Sequence, residues 1–222
     1  MKILDMYCGG GGASYGIHQA GHEVEGVDIN CDLAKEYPFR MYCTDAIIYL
    51  MAHYNEYDAF HASPPCQHYS QATKQWINLG NEYPDLVGIT RTALESTNKP
   101  FVIENVVGAP IRKDLLLCGQ MFDDGSQEFV VRKHRLFEIH GFEVPKLEHI
   151  KHIGTVGDGR VISVFGHGGG VRYQHATSDL NAWREAMGVP WMKKRKSIAE
   201  SIPPNYTRYI FSFLKGQKNE PL

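Results

Sequence analysis

The chain is short of the features that mark several protein classes. Cysteine is sparse and odd in number, with five in 222 residues at positions 8, 31, 43, 66 and 118. No two of them form a Cys-x-x-Cys pair, and no histidine stands at zinc spacing from them. The sequence therefore predicts neither a disulfide framework nor a structural zinc site, and it fits a reducing cytoplasm. No stretch approaches the ~18 consecutive apolar residues of a membrane span. Asp5 interrupts what would be the apolar part of an export signal, so no such signal is expected. Internal repeats and low-complexity tracts are lacking as well. What remains is ordinary for a well-cored protein: 43% apolar and 22% charged residues, in a length that suits one domain with a small insertion.

The net charge of −2 is unevenly spread. Residues 1–127 carry 8 Lys/Arg against 16 Asp/Glu, whereas residues 128–222 carry 15 against 9. The basic half is a candidate to face a polyanion, although uneven charge alone is equally a feature of ordinary chains.

The first half alternates strand-like and helix-like segments. Strands are expected at Lys2–Tyr7, Glu23–Asp28, Phe39–Cys43, Tyr57–His61 and Pro100–Glu104. Helices are expected at Ala13–Ala20, Asp32–Tyr37, from the cap Asp45 to His53, and at Asp85–Thr97. This spacing implies βαβ units and a mostly parallel sheet covered by helices on both faces. Leu115–Phe122 reads as a helix, and Glu128–Val131 and Leu136–His140 as further strands. Residues 141–182, rich in Gly, His and basic residues, read as an insertion around a short apolar run at Val161–Phe165. Residues 183–214 return to helix-forming sequence, with Trp183, Met187, Trp191 and Met192 expected in the core.

In such sheets ligands bind at the carboxyl ends of the strands, and the chemically interesting residues cluster there. The first strand ends in Asp5-Met-Tyr-Cys-Gly-Gly-Gly-Gly12, a turn that suits close backbone approach to a ligand and equally suits a tight turn alone. Asp28 follows the second strand and Asp45 the third. Either acid alone is explained by helix capping, but three successive strand ends of this kind favour an adenosyl-type ligand. Ser63-Pro-Pro-Cys-Gln67 follows the fourth strand, where two prolines stiffen a loop that presents Cys66 as a candidate nucleophile.

Together these motifs resemble the cytosine-C5 DNA methyltransferase family. Asp5–Gly12 resembles the family's first motif, with Tyr7 in place of Phe, and Asp28 and Asp45 resemble the second and third. Pro64-Pro65-Cys66-Gln67 resembles the nucleophile motif, Glu104-Asn105-Val106 the Glu-Asn-Val motif, and Arg132-Lys-His-Arg135 the Gln-x-Arg-x-Arg motif. Ile202-Pro203-Pro204 resembles the closing motif. Lys133 stands where the family has its first arginine, Val131 where it has glutamine, and Ala199-Glu200 where it has Gly-Asn.

The resemblance implies a Rossmann-like α/β methyltransferase that uses S-adenosylmethionine. It implies a cofactor site at Asp5, Tyr7, Cys8, Gly9, Gly11, Asp28, Ile29, Asp45, Ala46 and Pro64. It further implies catalytic roles for Cys66, Glu104 and Arg135, and substrate or DNA contact by Pro65, Gln67, Ser70, Lys74, Asn105, Lys133, Arg172 and His175. A catalytic core over 1–137, a short target-recognition region over 138–182 and a returning segment over 183–222 follow, with residues 68–84 as a loop closing over a flipped cytosine. The expected partner is duplex DNA, and the expected state a cytoplasmic monomer with no metal and no membrane contact. An RNA cytosine-C5 methyltransferase and a catalytically silent nucleic-acid binder are the alternatives. Lys193-Lys-Arg-Lys196 is a candidate phosphate contact or plain solvated surface.

Overall fold

The computed structural model describes residues 1–65, 85–156, 159–164 and 179–215. Its centre is a seven-stranded sheet of β1 (Lys2–Met6), β2 (Glu23–Asp28), β3 (Arg40–Cys43), β4 (Ala59–Ala62), β5 (Phe101–Asn105), β6 (Leu115–Leu117) and β8 (Arg135–His140), in the order 3-2-1-4-5-8-6. Strands β1 to β5 are parallel, and β8 runs antiparallel to both β5 and β6. A second sheet pairs β7 (Val130–Val131) with β9 (Val161–Ile162) in parallel. Among the described residues the α-helices are α1 (Gly12–Gln19), α2 (Ala46–His53), α3 (Val87–Ser96), α4 (Leu180–Met187), α5 (Arg195–Glu200) and α6 (Pro204–Phe211).

Alternation along each strand divides the apolar residues between two faces. On β1, Leu4 and Met6 join Leu50, Phe60, Leu94 and Ile103 in the core under α2 and α3. Ile3 joins Ile17, Val102, Tyr206 and Phe211 in the core under α1 and α6. A third cluster gathers Val131, Ile162, Trp183, Met187, Met192 and Ile198 around the small sheet and α4, so the expected core roles of Trp183, Met187 and Met192 hold.

Helix α1 packs closely against α6 because Gly16 carries no side chain. A Cβ at Gly16 would meet the Pro204 carbonyl oxygen at 1.9 Å and Thr207 Oγ1 at 2.2 Å. Thr207 uses the same proximity to donate to the Ala13 carbonyl at 2.8 Å. The last helix is thereby fixed on the first.

Two expectations are corrected. Leu115–Phe122 is not a helix: Leu115–Leu117 forms β6 at the sheet edge, and a 3-10 turn follows over Gly119–Phe122. A three-residue leucine run fits either element, and pairing with β8 decides it. Cys31 and Cys43 are paired as a disulfide with a Cα–Cα separation of 5.1 Å. The β2–β3 register sets Cys43 opposite Asp28, beside the turn that begins at Cys31, which an odd cysteine count cannot reveal.

The α1–α6 contact makes a testable contrast. Gly16→Ala should destabilise the fold by about 1–3 kcal/mol through overpacking. Gly88→Ala, on α3 with nothing within 4 Å of its would-be Cβ, should be neutral or stabilising by up to ~1 kcal/mol. Urea unfolding of both variants measures this, and a Gly16→Ala protein as stable as wild type would refute the close-packing account.

Candidate functional site

The sheet reverses its winding between β1 and β4, where an open α/β sheet binds its ligands. Register aligns Val27, Met6, Ala62 and Ile103 in one row across four parallel strands. The residues just beyond that row therefore share one edge: Asp28, the glycine turn, Ser63 to Pro65, and Glu104 with Asn105.

The turn is built from within. Asp5, expected at the cofactor, is 1% exposed and accepts from Ser14 Oγ and from His61 Nδ1 (2.7 Å), so it braces the turn from behind. Tyr7 and Gly9 adopt positive φ of 57° and 54°, and the Tyr7 hydroxyl is bonded to Thr90 Oγ1 at 2.8 Å. Cys8 is buried. Desolvation, with Asp5 and Asp28 nearby, pushes its thiol well up, so it stays protonated and offers no second nucleophile.

The four glycines divide into two kinds. Gly10, Gly11 and Gly12 fit under Met192, Pro38 with Tyr37, and Ser201 with Ile202, respectively, so close packing explains them. Gly9 alone has open space beyond its Cα. Its N–H donates to Asp28 Oδ2 (3.0 Å), while Oδ1 accepts from the Asn30 N–H (2.9 Å). Each carboxylate oxygen keeps a further lone pair. Beside it Ile29 is 75% exposed, an apolar face at the same edge. Asp45 accepts from the N–H groups of Ile47 and Ile48 (both 2.9 Å) as the cap of α2, and Ala46 is buried in that helix's first turn.

At the end of β5, buried Glu104 meets Arg135 of β8, with Nε 2.7 Å from Oε1 in an ion-pair contact rather than an aligned hydrogen bond. Asn105, expected at the nucleic acid, is buried instead. Its Nδ2 donates to the Pro64 carbonyl (3.0 Å) and its Oδ1 accepts from the Val106 N–H (2.9 Å). It ties the end of β5 to the loop carrying Pro65 and, next in the chain, Cys66.

Lys133 is also inside. Its Nζ donates to the Ala199 carbonyl (2.5 Å), and its own carbonyl accepts from Tyr206, so it braces the C-terminal segment instead of reaching substrate. Cys66, Gln67, Ser70, Lys74, Arg172 and His175 lie outside the described residues, as does the 68–84 loop. The Lys193–Lys196 run is partly absorbed into structure. Arg195 lies over the Trp183 ring at 4.8 Å, and the Lys193 N–H donates to Glu36.

Several contacts escaped sequence reasoning. Ser14 and His61 behind Asp5, and Trp191 donating to the Gly10 carbonyl (2.9 Å), have no linear signature. Nor does the network around Glu138 of β8. That carboxylate is 2% exposed and accepts from Arg91 Nε and Nη2 (2.9 and 2.8 Å), His140 Nε2 (2.8 Å) and the Arg112 N–H (2.8 Å). It fastens α3, the helix that follows the Cys66 segment, to the strand that carries Arg135.

Comparison with known proteins gives the family and the fold. Residues 1–115, just over half of the chain, match the family model for C-5 cytosine-specific DNA methylase. The solved structure of Schizosaccharomyces (S.) pombe Dnmt2 methyltransferase is similar at 13% identity, covering 96% of this chain and 97% of that chain with a TM-score of 0.61. Entamoeba histolytica methyltransferase EhMeth is similar at 11% identity, 96% and 97% coverage and a TM-score of 0.59. These two share the α/β fold with this chain. A structure from an E. coli prophage matches at 18% identity over 62% of this chain, with a TM-score of 0.41, and this chain covers only 45% of it. No curated protein matches the sequence. Among the described residues, no helix is long and apolar enough to cross a membrane.

The Glu138 network gives stability a pH dependence. Burial alone would raise this carboxyl, but Arg91, His140 and the Arg112 N–H outweigh it and hold it at about 2, against 4.5 ordinarily. A folded-state value below the unfolded one stabilises fully above about pH 4.5, and that contribution is lost as pH falls toward 2. The loss is roughly 3 kcal/mol. Glu138→Gln should therefore flatten the fall in stability between pH 4.5 and 2 relative to wild type. Parallel urea-unfolding profiles for the two proteins across that window would contradict the assignment.

Proposed function

This chain belongs to the C-5 cytosine-specific DNA methylase family, and from that premise we propose that it methylates C5 of cytosine in DNA with S-adenosylmethionine as the methyl donor. One observation carries the proposal: the Glu104–Arg135 pair and the Asn105–Pro64 tether stand at the same sheet edge as the open Gly9 turn and Asp28.

The residues at that edge fit an adenosyl ligand. Gly9 leaves room for close approach, Asp28 has lone pairs for ribose hydroxyls, and Ile29 offers an apolar surface for a base. When bound, S-adenosylmethionine supplies an electrophilic methyl group on its sulfonium. The chain supplies the rest. The Cys66 thiolate adds to C6 of cytosine, and the electron pair displaced from the 5,6 double bond makes C5 enamine-like. Glu104, buried at the end of β5, holds a proton or hydrogen bond at N3 and offsets the charge that develops on the ring. Arg135 keeps Glu104 in place and lends positive charge to the pocket where the thiolate forms. Once the methyl group is on C5, a solvent base takes the C5 proton, its electron pair re-forms the 5,6 double bond, and the C6–S bond breaks to release the Cys66 thiolate and restore the aromatic ring. The target base must leave the duplex for this, and residues 68–84 are the segment proposed to close over it.

Trapping tests the whole proposal. Duplex DNA carrying 5-fluorocytosine should form a covalent adduct in the presence of the methyl donor, because fluorine blocks the final elimination. Cys66→Ser should form none and should lose turnover while remaining folded. An adduct that persists in Cys66→Ser would overturn the nucleophile. Adduct formation on structured RNA alone would move the substrate to RNA.

The cofactor edge has its own test. Asp28→Ala should weaken S-adenosylmethionine binding by on the order of 1–3 kcal/mol, the scale for leaving polar partners unpaired. Unchanged affinity by calorimetry would reduce Asp28 to a support for the Gly9 turn.

A further inference from the structure

Four side chains distant in sequence converge on the far side of β8 from the cofactor turn. Cys118 follows β6 and is fully buried, His134 lies between β7 and β8, and His149 and His152 lie in the segment after β8. Their candidate ligand atoms all lie within 4.8 Å of one another. His134 Nε2 is 3.1 Å from His149 Nε2, and Cys118 Sγ is 3.6 Å from His152 Nε2. The three imidazole rings crowd together at centroid distances of 4.9 to 5.2 Å.

We propose that Cys118, His134, His149 and His152 form a structural zinc site that fastens the segment after β8 to the main sheet. The geometry is the first argument. With Zn–N of ~2.0–2.1 Å and Zn–S of ~2.3 Å, a tetrahedron has N···N edges of about 3.3 Å and S···N edges of about 3.6 Å. Two edges of the cluster already stand near those lengths, and the widest must draw in by about 1.2–1.5 Å.

Donor chemistry is the second argument. The group holds three imidazoles and one thiol with no carboxylate, a set that suits zinc and not calcium or magnesium. Four protein ligands complete a tetrahedron and leave no position for water or substrate, so the site is structural. On binding, the Cys118 S–H bond breaks, its proton goes to solvent, and the sulfur lone pair forms the Zn–S bond, while the imidazoles bind as neutral lone-pair donors.

The third argument is what the segment lacks. Residues 141–156 contain no helix or strand. Phe142, Val144 and Leu147 of its first half pack on the core. In its second half Ile150 and Ile153 are 40% and 71% exposed, so burial does not hold the stretch that carries both histidines. Its other ties are polar: Gln120 to the backbone of Ile153 (2.9 and 3.2 Å) and Arg132 to the Gly154 carbonyl (2.6 Å). A metal bridging this stretch to Cys118 and His134 supplies the missing cross-link. Linear spacing hides the site, because only His149 and His152 are near neighbours in sequence.

Metal analysis of the full chain, purified without an affinity tag from zinc-supplemented culture, tests this independently of methyl transfer. About one zinc per chain is expected. The exposed His149→Gln should lose stoichiometric zinc while keeping its circular dichroism spectrum. Cobalt(II) titrated into the metal-free wild type should give tetrahedral ligand-field bands and a thiolate-to-cobalt charge-transfer band, and the latter should vanish in Cys118→Ser. A folded wild type that takes up neither zinc nor cobalt would overturn the proposal. So would zinc retained equally by both variants, which marks an adventitious ion only.

Discussion

The arrangement of this protein depends on a carboxylate buried near the end of β1, beside the winding reversal of the sheet. Asp5 is almost wholly out of water, where an unpaired charge would be very costly, and it is accommodated because Ser14 and His61 both direct hydrogen bonds to it. Those partners belong to the first turn of α1 and to β4. The need to satisfy one charge therefore fixes the strand, the helix that leaves it and the neighbouring strand on the far side of the winding reversal. Ser14 also bonds the Tyr37 hydroxyl (2.7 Å), which brings in the chain between β2 and β3. The turn from Tyr7 to Gly11 is suspended between these fixed points. Of its glycines, only Gly9 faces open space, because Gly10 is pressed against Met192 of the C-terminal part and Gly11 against Tyr37 and Pro38.

That C-terminal part completes the site rather than decorating it. Trp191 donates to the Gly10 carbonyl, Ser201 and Ile202 fill the space above Gly12, and Thr207 bonds the Ala13 carbonyl. Lys133 and Tyr206 join the arginine-bearing motif to the same segment through Ala199 and the Lys133 carbonyl. The positive excess of the second half is therefore not all available to a polyanion. Lys133 is interior, and Arg195 rests on Trp183.

Much of the fold was legible because its signals are local. Glu23–Asp28 is a strand over the expected residues, and Asp45 caps α2 as an acid before an apolar run should. The order of strand-end motifs located the site edge. What the sequence concealed is set by contact across long separations. The leucines of β6 owe their extended form to β8, the Cys31–Cys43 pair to the β2–β3 register, and the interior position of Lys133 to carbonyls that arrive from residues 164 and 199. Asn105 illustrates the limit well. Its place in a Glu-Asn-Val motif locates it at the site, but only the fold shows its amide turned back to hold Pro64.

The reversed direction of β8 explains how the second half of the chain reaches that edge at all. In a parallel strand the first residue lies at the edge away from the ligand, and only the last residues reach it. Running antiparallel to β5, β8 starts at the ligand edge, so Arg135, its first residue, stands beside Glu104, near the end of β5, with Leu136 opposite Asn105 and Phe137 opposite Glu104. Three residues on, the same strand presents Glu138 to Arg91 of α3. One short strand thus sets a cation against Glu104, and an acid against a cation on the helix that follows the Cys66 segment. The two pairs have opposite polarity along a single backbone, so a slip of β8 by one residue would turn Arg135 and Glu138 to the wrong faces and leave Glu104 and Arg91 without their partners. Register is therefore held by charge as well as by the apolar pattern, at the strand where the candidate site edge and the C-terminal segment meet.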